Sequence, residues 1–379
     1  MTRIIKPGQT IGIIGGGQLG RMMAIAAKQM GYRIAVLEPT KDSPCGQVSD
    51  IVIEAAYDDR EGAKKLAEVS DVITYEFENI DEDTANWLTE QADFPQGAKV
   101  LGITQDRLSE KEAIRSLGVP LAPFYPVRSI EDVEEAARAL GFPSVLKTCR
   151  GGYDGKGQRV VEDLEQLKNA ASELLINGDC VLEAWIPFEL ELSVIVTRSR
   201  NGETAVFPVA ENEHRENILH RSHVPARVTN EVCEQAKEMA LKIVSGMGVV
   251  GTLAVELFML EDGRLYANEL APRPHNSGHY TIEACETSQF EQHIRAVCGL
   301  PLGPTTLRSP VVMENILGEH LDGVLNRVEN LTNVKLHLYG KKEAKIKRKM
   351  GHVTVTANTV EEACKQLSFL ETESVVNEK

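Results

Sequence analysis

No Cys-x-x-Cys pair occurs in this sequence. Its seven cysteines, at 45, 149, 180, 233, 285, 298 and 364, are scattered, which argues against a zinc site and against a disulfide framework. They read as small buried thiols in a reducing compartment. No apolar run approaches the roughly 20 residues that a membrane-spanning helix needs. The opening Met1-Thr-Arg-Ile-Ile-Lys-Pro-Gly8 lacks the apolar core of a secretory signal, so a cytoplasmic protein without a membrane partner is expected. Basic residues are outnumbered, 41 Lys and Arg against 56 Asp and Glu, for a net charge of −15. That balance argues against nonspecific nucleic-acid binding, though not against a local basic pocket for a phosphorylated small molecule. A Walker loop, Gly-x-x-x-x-Gly-Lys-Ser/Thr, is missing too. What the chain has is length and core. Its 379 residues suggest two or three domains at about 150 each, and 42% hydrophobic residues suffice to fill them.

The first hundred residues alternate strand and helix. Thr10-Ile-Gly-Ile-Ile14 runs into Gly15-Gly-Gly-Gln-Leu-Gly20, a helical stretch over 21–30 stops at Gly31, and 33–38 is a second strand. This is a βαβ unit. Strands at 50–54 and 71–75 and helices at 59–69 and 81–91 extend it to a doubly wound parallel sheet. Gly15-x-Gly17-x-x-Gly20, with Glu38 about 20 residues on, matches the dinucleotide fingerprint. A nicotinamide-dependent oxidoreductase is therefore one reading. The physics of the turn says only that a phosphate can sit on amides at a helix N-terminus. The lone phosphate of a ribonucleotide satisfies that equally.

The segment 142–158 carries the densest signal. Val145-Leu146 ends a short strand with Lys147 at its tip, Gly151, Gly152, Gly155 and Gly157 follow, and Arg159-Val-Val161 resumes strand character. Such a loop either forms a plain hairpin or folds over a polyphosphate, with glycines admitting close backbone approach and Lys147 and Lys156 supplying charge. It sits in a small α/β unit with helices at 129–140 and 163–175 and strands at 144–147, 158–161 and 180–186.

A hairpin follows, Gly251–Leu260 and Leu265–Leu270 around the turn Glu261-Asp-Gly-Arg264. It would set Glu256 against Glu269, with Asn268 beside them. Two buried carboxylates need a cation, and magnesium, which favours carboxylate plus phosphate oxygens, suits them. The rigid Ala271-Pro-Arg-Pro-His-Asn-Ser-Gly-His279 comes next; its Arg273 is a donor fork suited to an acyl-phosphate or bicarbonate. Helices at 229–245 and 288–298 are structural. Strands at 311–317, 334–338 and 352–357 enclose a basic turn, Tyr339-Gly-Lys-Lys342 to Arg348-Lys-Met-Gly-His352.

Five of these segments, in the same order, resemble one family over nearly the whole chain. Lys147…Gly-Gly-Tyr-Asp-Gly-Lys-Gly-Gln is similar to the ATP-covering loop of ATP-grasp ligases. Its Gly-Gly-Tyr-Asp-Gly form, with Gly-Gly-Gly-Gln-Leu-Gly-Arg-Met, Thr-Tyr-Glu-Phe-Glu-Asn, Pro-Arg-Pro-His-Asn-Ser-Gly and Tyr-Gly-Lys…Arg-Lys-Met-Gly-His, resembles the N5-carboxyaminoimidazole ribonucleotide synthetases of purine biosynthesis. The resemblance implies an α/β ATP-grasp fold: a doubly wound N-terminal domain at 1–104, an ATP-grasp region at 105–298 with a lid at about 119–187, and a C-terminal β-rich segment at 299–379. It implies carboxylation of 5-aminoimidazole ribonucleotide with ATP, bicarbonate and magnesium, in a homodimer.

Carried over residue by residue, ATP falls to Arg107, Lys147, the loop Gly152, Tyr153, Asp154, Gly155, Lys156, Gly157 and Gln158, and Asn268 and Glu269. Glu183, Ala184, Trp185 and Ile186 would read the adenine edge and Glu191 the ribose, with His214 nearby. Glu256 and Glu269 would hold magnesium. Gln18, Leu19, Lys341 and Arg348 would take the substrate's phosphate and Glu76 its ribose, with His275 alongside. Arg273 would hold carboxyphosphate, while Asp154, beside Tyr153, would orient the amine. One departure is Lys345-Ile-Lys347, where a proline-glycine turn is expected. Rival readings are a formate-using transformylase of the same superfamily, which lacks the Tyr-Asp of the loop, the dehydrogenase, and a nucleotide sensor without catalysis.

Overall fold

The computed structural model describes residues 3–152 and 156–367. Tyr153, Asp154 and Gly155 lie outside the described residues, so their assigned roles stay with the sequence.

The N-terminal unit is a four-stranded parallel sheet in the order Ile51–Ile53, Arg33–Leu37, Thr10–Ile14, Val72–Tyr75. Thr10–Ile14 is buried along its whole length, as a parallel strand covered on both faces must be. Met22, Met23 and Ala26 of the helix Gln18–Gln29 pack one face together with Phe290, Ile294 and Val297. Ala63, Leu66, Ala85 and Leu88, from the helices Arg60–Val69 and Glu82–Gln91, pack the other. The strand order reverses between 10–14 and 72–75, and ligands of such sheets bind beyond the carboxyl ends at that point.

The segment expected to form the lid is an antiparallel sheet in the order Phe124–Val127, Cys180–Ala184, Ser144–Thr148, Gln158–Val161. Helices Val133–Leu140 and Leu164–Leu174 cover it with Val133, Ala136, Leu167 and Ala171. Its strand 180–184 stops two residues before the expected end. There the Trp185 amide leaves the ladder and donates to the Pro143 carbonyl at 3.2 Å.

The third element is a nine-stranded sheet. Its main path runs Leu265–Ala271, Gly251–Met259, Leu190–Arg198, Ala210–Arg215, Ile218–Val224, Val311–Leu317, Lys349–Thr356, Lys335–Leu338. The C-terminal strands therefore continue the sheet that carries the acid hairpin, because 311–317 pairs with 218–224. Helix Asn230–Gly246 sets Val232, Ala236, Ala240 and Ile243 on Val194, Val196, Leu253 and Val255, the 3-4 spacing of one apolar stripe. Helix Gln289–Val297 joins this sheet to the N-terminal unit. Among the described residues no helix is long and apolar enough to cross a membrane.

Candidate active site

Glu256 and Glu269 face each other as partners in the hairpin ladder, and a bulge follows: Leu257 pairs with Ala267, leaving Asn268 unopposed. The extra residue breaks the period of two, so that Asn268 and Glu269 are both half-exposed where alternation would hide one of them. Burial, and then the charge of Glu269, push the Glu256 carboxyl well above the usual carboxylate range. His275 Nε2 stands 3.3 Å from Glu256, but burial and the neighbouring Arg273 hold that imidazole neutral, well below its usual pKa. His275 therefore brings no positive charge to the pair, whose direct cation is the Arg107 guanidinium on Glu269. Among the described residues no group of three or more His, Cys, Asp or Glu side chains is disposed to hold a metal. Two carboxylates completed by phosphate oxygens do fit magnesium.

On the lid side Lys147 donates to Glu183 at 3.1 Å and Lys111 pairs with the same oxygen at 3.0 Å. Lys111 and Glu183 are almost wholly buried. Burial pushes the Glu183 carboxyl up, but the two ammonium groups outweigh it and hold it at about 2. Arg107 links this cluster to the hairpin: it donates to Glu269 at 3.2 Å and to the Gly152 carbonyl of the loop at 3.3 Å. The loop's far end is fixed where Thr148 donates its amide to the Gly157 carbonyl at 2.9 Å. Gly157 has φ +72°, and a Cβ there would lie 2.6 Å from Thr148 Oγ1. Lys156 directly precedes Gly157, and Gln158 pairs with Lys147 across the ladder. Glu191 and His214 are neighbours at 2.9 Å. Burial lowers the imidazole's pKa, yet the Glu191 carboxylate overrides it and raises it.

The glycine turn presents a different chemistry from the dinucleotide pattern. The Gly17 and Gly20 amides donate to Glu76, the latter at 2.8 Å, and the Gly16 amide donates to Glu38 at 2.8 Å. Glu38 also accepts from the Thr40 amide at 3.0 Å and from the Tyr57 hydroxyl. The carboxylates of the protein already occupy the amides a pyrophosphate would need, and the ribose-binding acid of the fingerprint is committed elsewhere. Gln18 and Leu19 open the helix that follows the turn.

Arg273 stands between the two halves. It forks onto Glu78, Nε to Oε2 at 2.5 Å and Nη2 to Oε1 at 3.0 Å. Its charge also bears on Glu76 and Glu269. The C-terminal segment closes the far side. Lys341 donates to the Lys349 carbonyl at 2.7 Å; burial and then the charge of Arg348 lower its ammonium to about 8. Lys342 pairs with Asp42 at 3.2 Å, and Gln47 donates to the Gly340 carbonyl at 2.9 Å, docking this segment on the N-terminal unit. Arg348 is exposed and donates to the Glu343 carbonyl at 3.0 Å. The unexpected Lys345-Ile-Lys347 turn is made by Lys347 at φ +64°.

Three known domain families match this chain in succession: a ribonucleotide synthetase pre-ATP-grasp domain over 8–105, an ATP-grasp domain over 112–290, and a phosphoribosylaminoimidazole carboxylase C-terminal domain over 311–366. The N5-carboxyaminoimidazole ribonucleotide synthase of Bacillus subtilis is 57% identical over 352 residues, 93% of this chain and 92% of that one. The chain belongs to the N5-carboxyaminoimidazole ribonucleotide synthase family. An ADP complex of such a synthetase superposes with a TM-score of 0.95 at 58% identity, covering 98% of each chain. The synthase of Aspergillus clavatus, solved with ADP and 5-aminoimidazole ribonucleotide, gives 0.89 at 32%, over 96% of this chain and 98% of that one.

Measured against the family expectation, the structure brings together Arg107, Lys147, Glu183, Glu256 and Glu269 on one side and Glu76, Arg273 and Lys341 on the other. Ala184, Trp185 and Ile186 border the lid cluster as the strand end and the loop after it. Sequence reasoning missed Lys111, Glu110 and Glu78. Glu110 is buried and accepts the Leu270 amide at 3.2 Å. Lys111 was within reach: helix Arg107–Ser116 puts residues 107, 111 and 114 on one stripe, so an inward Arg107 implies an inward Lys111. Lys349 was missed as well; its charge bears on Glu256, His214 and His275.

Proposed function

We propose that the chain carboxylates 5-aminoimidazole ribonucleotide to N5-carboxyaminoimidazole ribonucleotide at the expense of ATP, a step of purine biosynthesis. Bicarbonate is the carboxyl source. One of its oxygens attacks the γ-phosphorus of ATP, ADP leaves, and carboxyphosphate forms. The exocyclic amine then attacks the carboxyl carbon, or the carbon dioxide freed from it, phosphate departs and the amine loses its proton.

The protein contributes position and charge. Lys147 and Arg107 face the triphosphate, and Glu183 with Lys111 fixes the lysine's direction. Magnesium, held by Glu256 and Glu269 with Asn268 adjacent, would neutralise phosphate charge. The main chain of 183–186 receives the adenine edge and Glu191 its ribose, beside His214. The loop with Gly152, Lys156, Gly157 and Gln158 closes over the phosphates and excludes water. On the acceptor side Gln18, Leu19, Lys341 and Arg348 take the 5′-phosphate and Glu76 the ribose, next to His275. Asp154, with Tyr153, orients the amine and receives its proton. The observation that supports this reading most is Arg273: its guanidinium is forked onto Glu78 at the strand end 76–78 and feels the charge of Glu269 in the acid hairpin, so it lies where a carboxylated phosphate must pass from donor to acceptor.

Phosphate release from ATP is the test. It is expected to require bicarbonate and to rise with 5-aminoimidazole ribonucleotide. Release that depends on formate would make the chain a transformylase, and ATP binding without release would make it a sensor.

A further inference from the structure

One buried network has its hydrogen-bond directions set from both ends. Thr252 donates its amide to His293 Nδ1 at 3.1 Å, so this nitrogen accepts and the ring proton is on Nε2. Nε2 lies 2.7 Å from Thr74 Oγ1 and donates to it. At the opposite end the Pro272 carbonyl can only accept, and it takes the Gln96 amide at 3.1 Å. Gln96 Oε1 therefore faces Thr74, whose hydroxyl donates to it at 2.5 Å. The two assignments meet at the threonine without conflict. Thr252, His293 and Thr74 are fully buried and Gln96 nearly so. Burial also keeps the imidazole neutral, with its pKa down at about 3, so the direction does not reverse in the working pH range. Room for the ring comes from Gly251, at φ +95°, where a Cβ would stand 2.9 Å from His293 Cε1.

The chain of bonds joins segments that the reaction must keep aligned. Thr74 lies in the strand 72–75, two residues before Glu76 and four before Glu78. Pro272 immediately precedes Arg273. The Arg273–Glu78 fork is thus one strut between these segments, and the network through His293 is a second, anchored on the strand that bears Glu256. None of its side chains is among those assigned to substrate.

We propose that His293, Thr74 and Gln96 form a positioning relay that holds the Arg273 loop in register with the strand end carrying Glu76 and Glu78, so that carboxyphosphate meets the acceptor's amine rather than water. The relay rests on the roles given above to Arg273 and Glu76. A buried polar chain with every member paired is worth more than its separate bonds, and a shift of about 1 Å in a reacting group is costly.

Thr74→Val removes the hydroxyl without changing the shape, and Thr74→Ser keeps the hydroxyl. Thr74→Val should raise the KM for 5-aminoimidazole ribonucleotide about tenfold. It should also cut the carboxylated product formed per phosphate released by about half or more, with the KM for ATP held within about twofold. Thr74→Ser should recover both quantities to within about twofold. Normal coupling in Thr74→Val, or equal loss in the two variants with only a lower melting temperature, overturns the relay. If Thr74→Val does not fold, Gln96→Met cuts the chain at its other end and is read in the same way. Arg273→Ala, assayed alongside, tests the arginine's own role: normal coupling there refutes that role, while the relay is still decided by the threonine pair.

Discussion

Glu183→Gln is expected to lower stability by about 3–5 kcal/mol, because it leaves two buried ammonium groups facing a neutral amide. Lys111 and Glu183 expose 3% and 5% of their side chains and Lys147 13%, so solvent cannot take over the pairing. A thermal melt should show the lid-side transition falling by about 10 °C. Phosphate release should fall with it, since Lys147 loses the partner that aims it. Replacing all three residues by apolar ones of similar size should recover most of the stability and none of the activity, which separates the structural cost from the catalytic one. The pH dependence has a defined sign. A carboxyl held at about 2 in the folded chain, against about 4.3 unfolded, contributes stability that is fully present above the unfolded value. That contribution is lost as pH falls from there towards 2. In Glu183→Gln this part of the acid sensitivity should vanish.

Glu269→Gln should behave in the opposite way. Glu256 is pushed up by burial and then by Glu269, so removing one charge relieves the other; this offsets the loss of the half-exposed Glu269 as partner to Arg107, and the free protein should melt no lower than the parent. Catalysis should collapse. The proposed magnesium ligand and the Arg107 partner at 3.2 Å are lost together, and a fall in kcat of about a thousandfold or more corresponds to roughly 4 kcal/mol of transition-state stabilisation. Equal or higher melting temperature with phosphate release abolished is the expected pair of results. A variant that melts earlier and still turns over would mean that the acid pair is a structural feature of the hairpin.

Much of this site was legible because its signals are local. A glycine-rich loop between two strands, an acid placed within an apolar strand and a rigid Pro-Arg-Pro segment can each be read from neighbours in sequence. The parallel unit was equally legible, since Thr10-Ile-Gly-Ile-Ile14 and the glycine turn fix strand, turn and helix within twenty residues. What escaped depends on distant pairing. The strands 190–198, 210–215 and 218–224 mix polar with apolar residues, several of the polar ones buried, which blurs the alternation. That blurring also hid the continuation of the sheet into Val311–Leu317. Lys111 and Glu110 look like solvated helix residues until Glu183 and Leu270 are placed against them, and Glu78 has no meaning without Arg273, 195 residues away. The dinucleotide pattern misled for a physical reason: it specifies a tight turn and open amides, and here Glu38 and Glu76 fill those amides from other strands.

Bicarbonate labelled with oxygen-18, followed into inorganic phosphate during turnover with ATP and 5-aminoimidazole ribonucleotide, tests the central claim most directly. If bicarbonate attacks the γ-phosphorus in the space bounded by Lys147, Glu256, Glu269 and Arg273, each phosphate released must carry one bicarbonate oxygen. Phosphate that carries none, with carboxylated product still formed, would contradict the account.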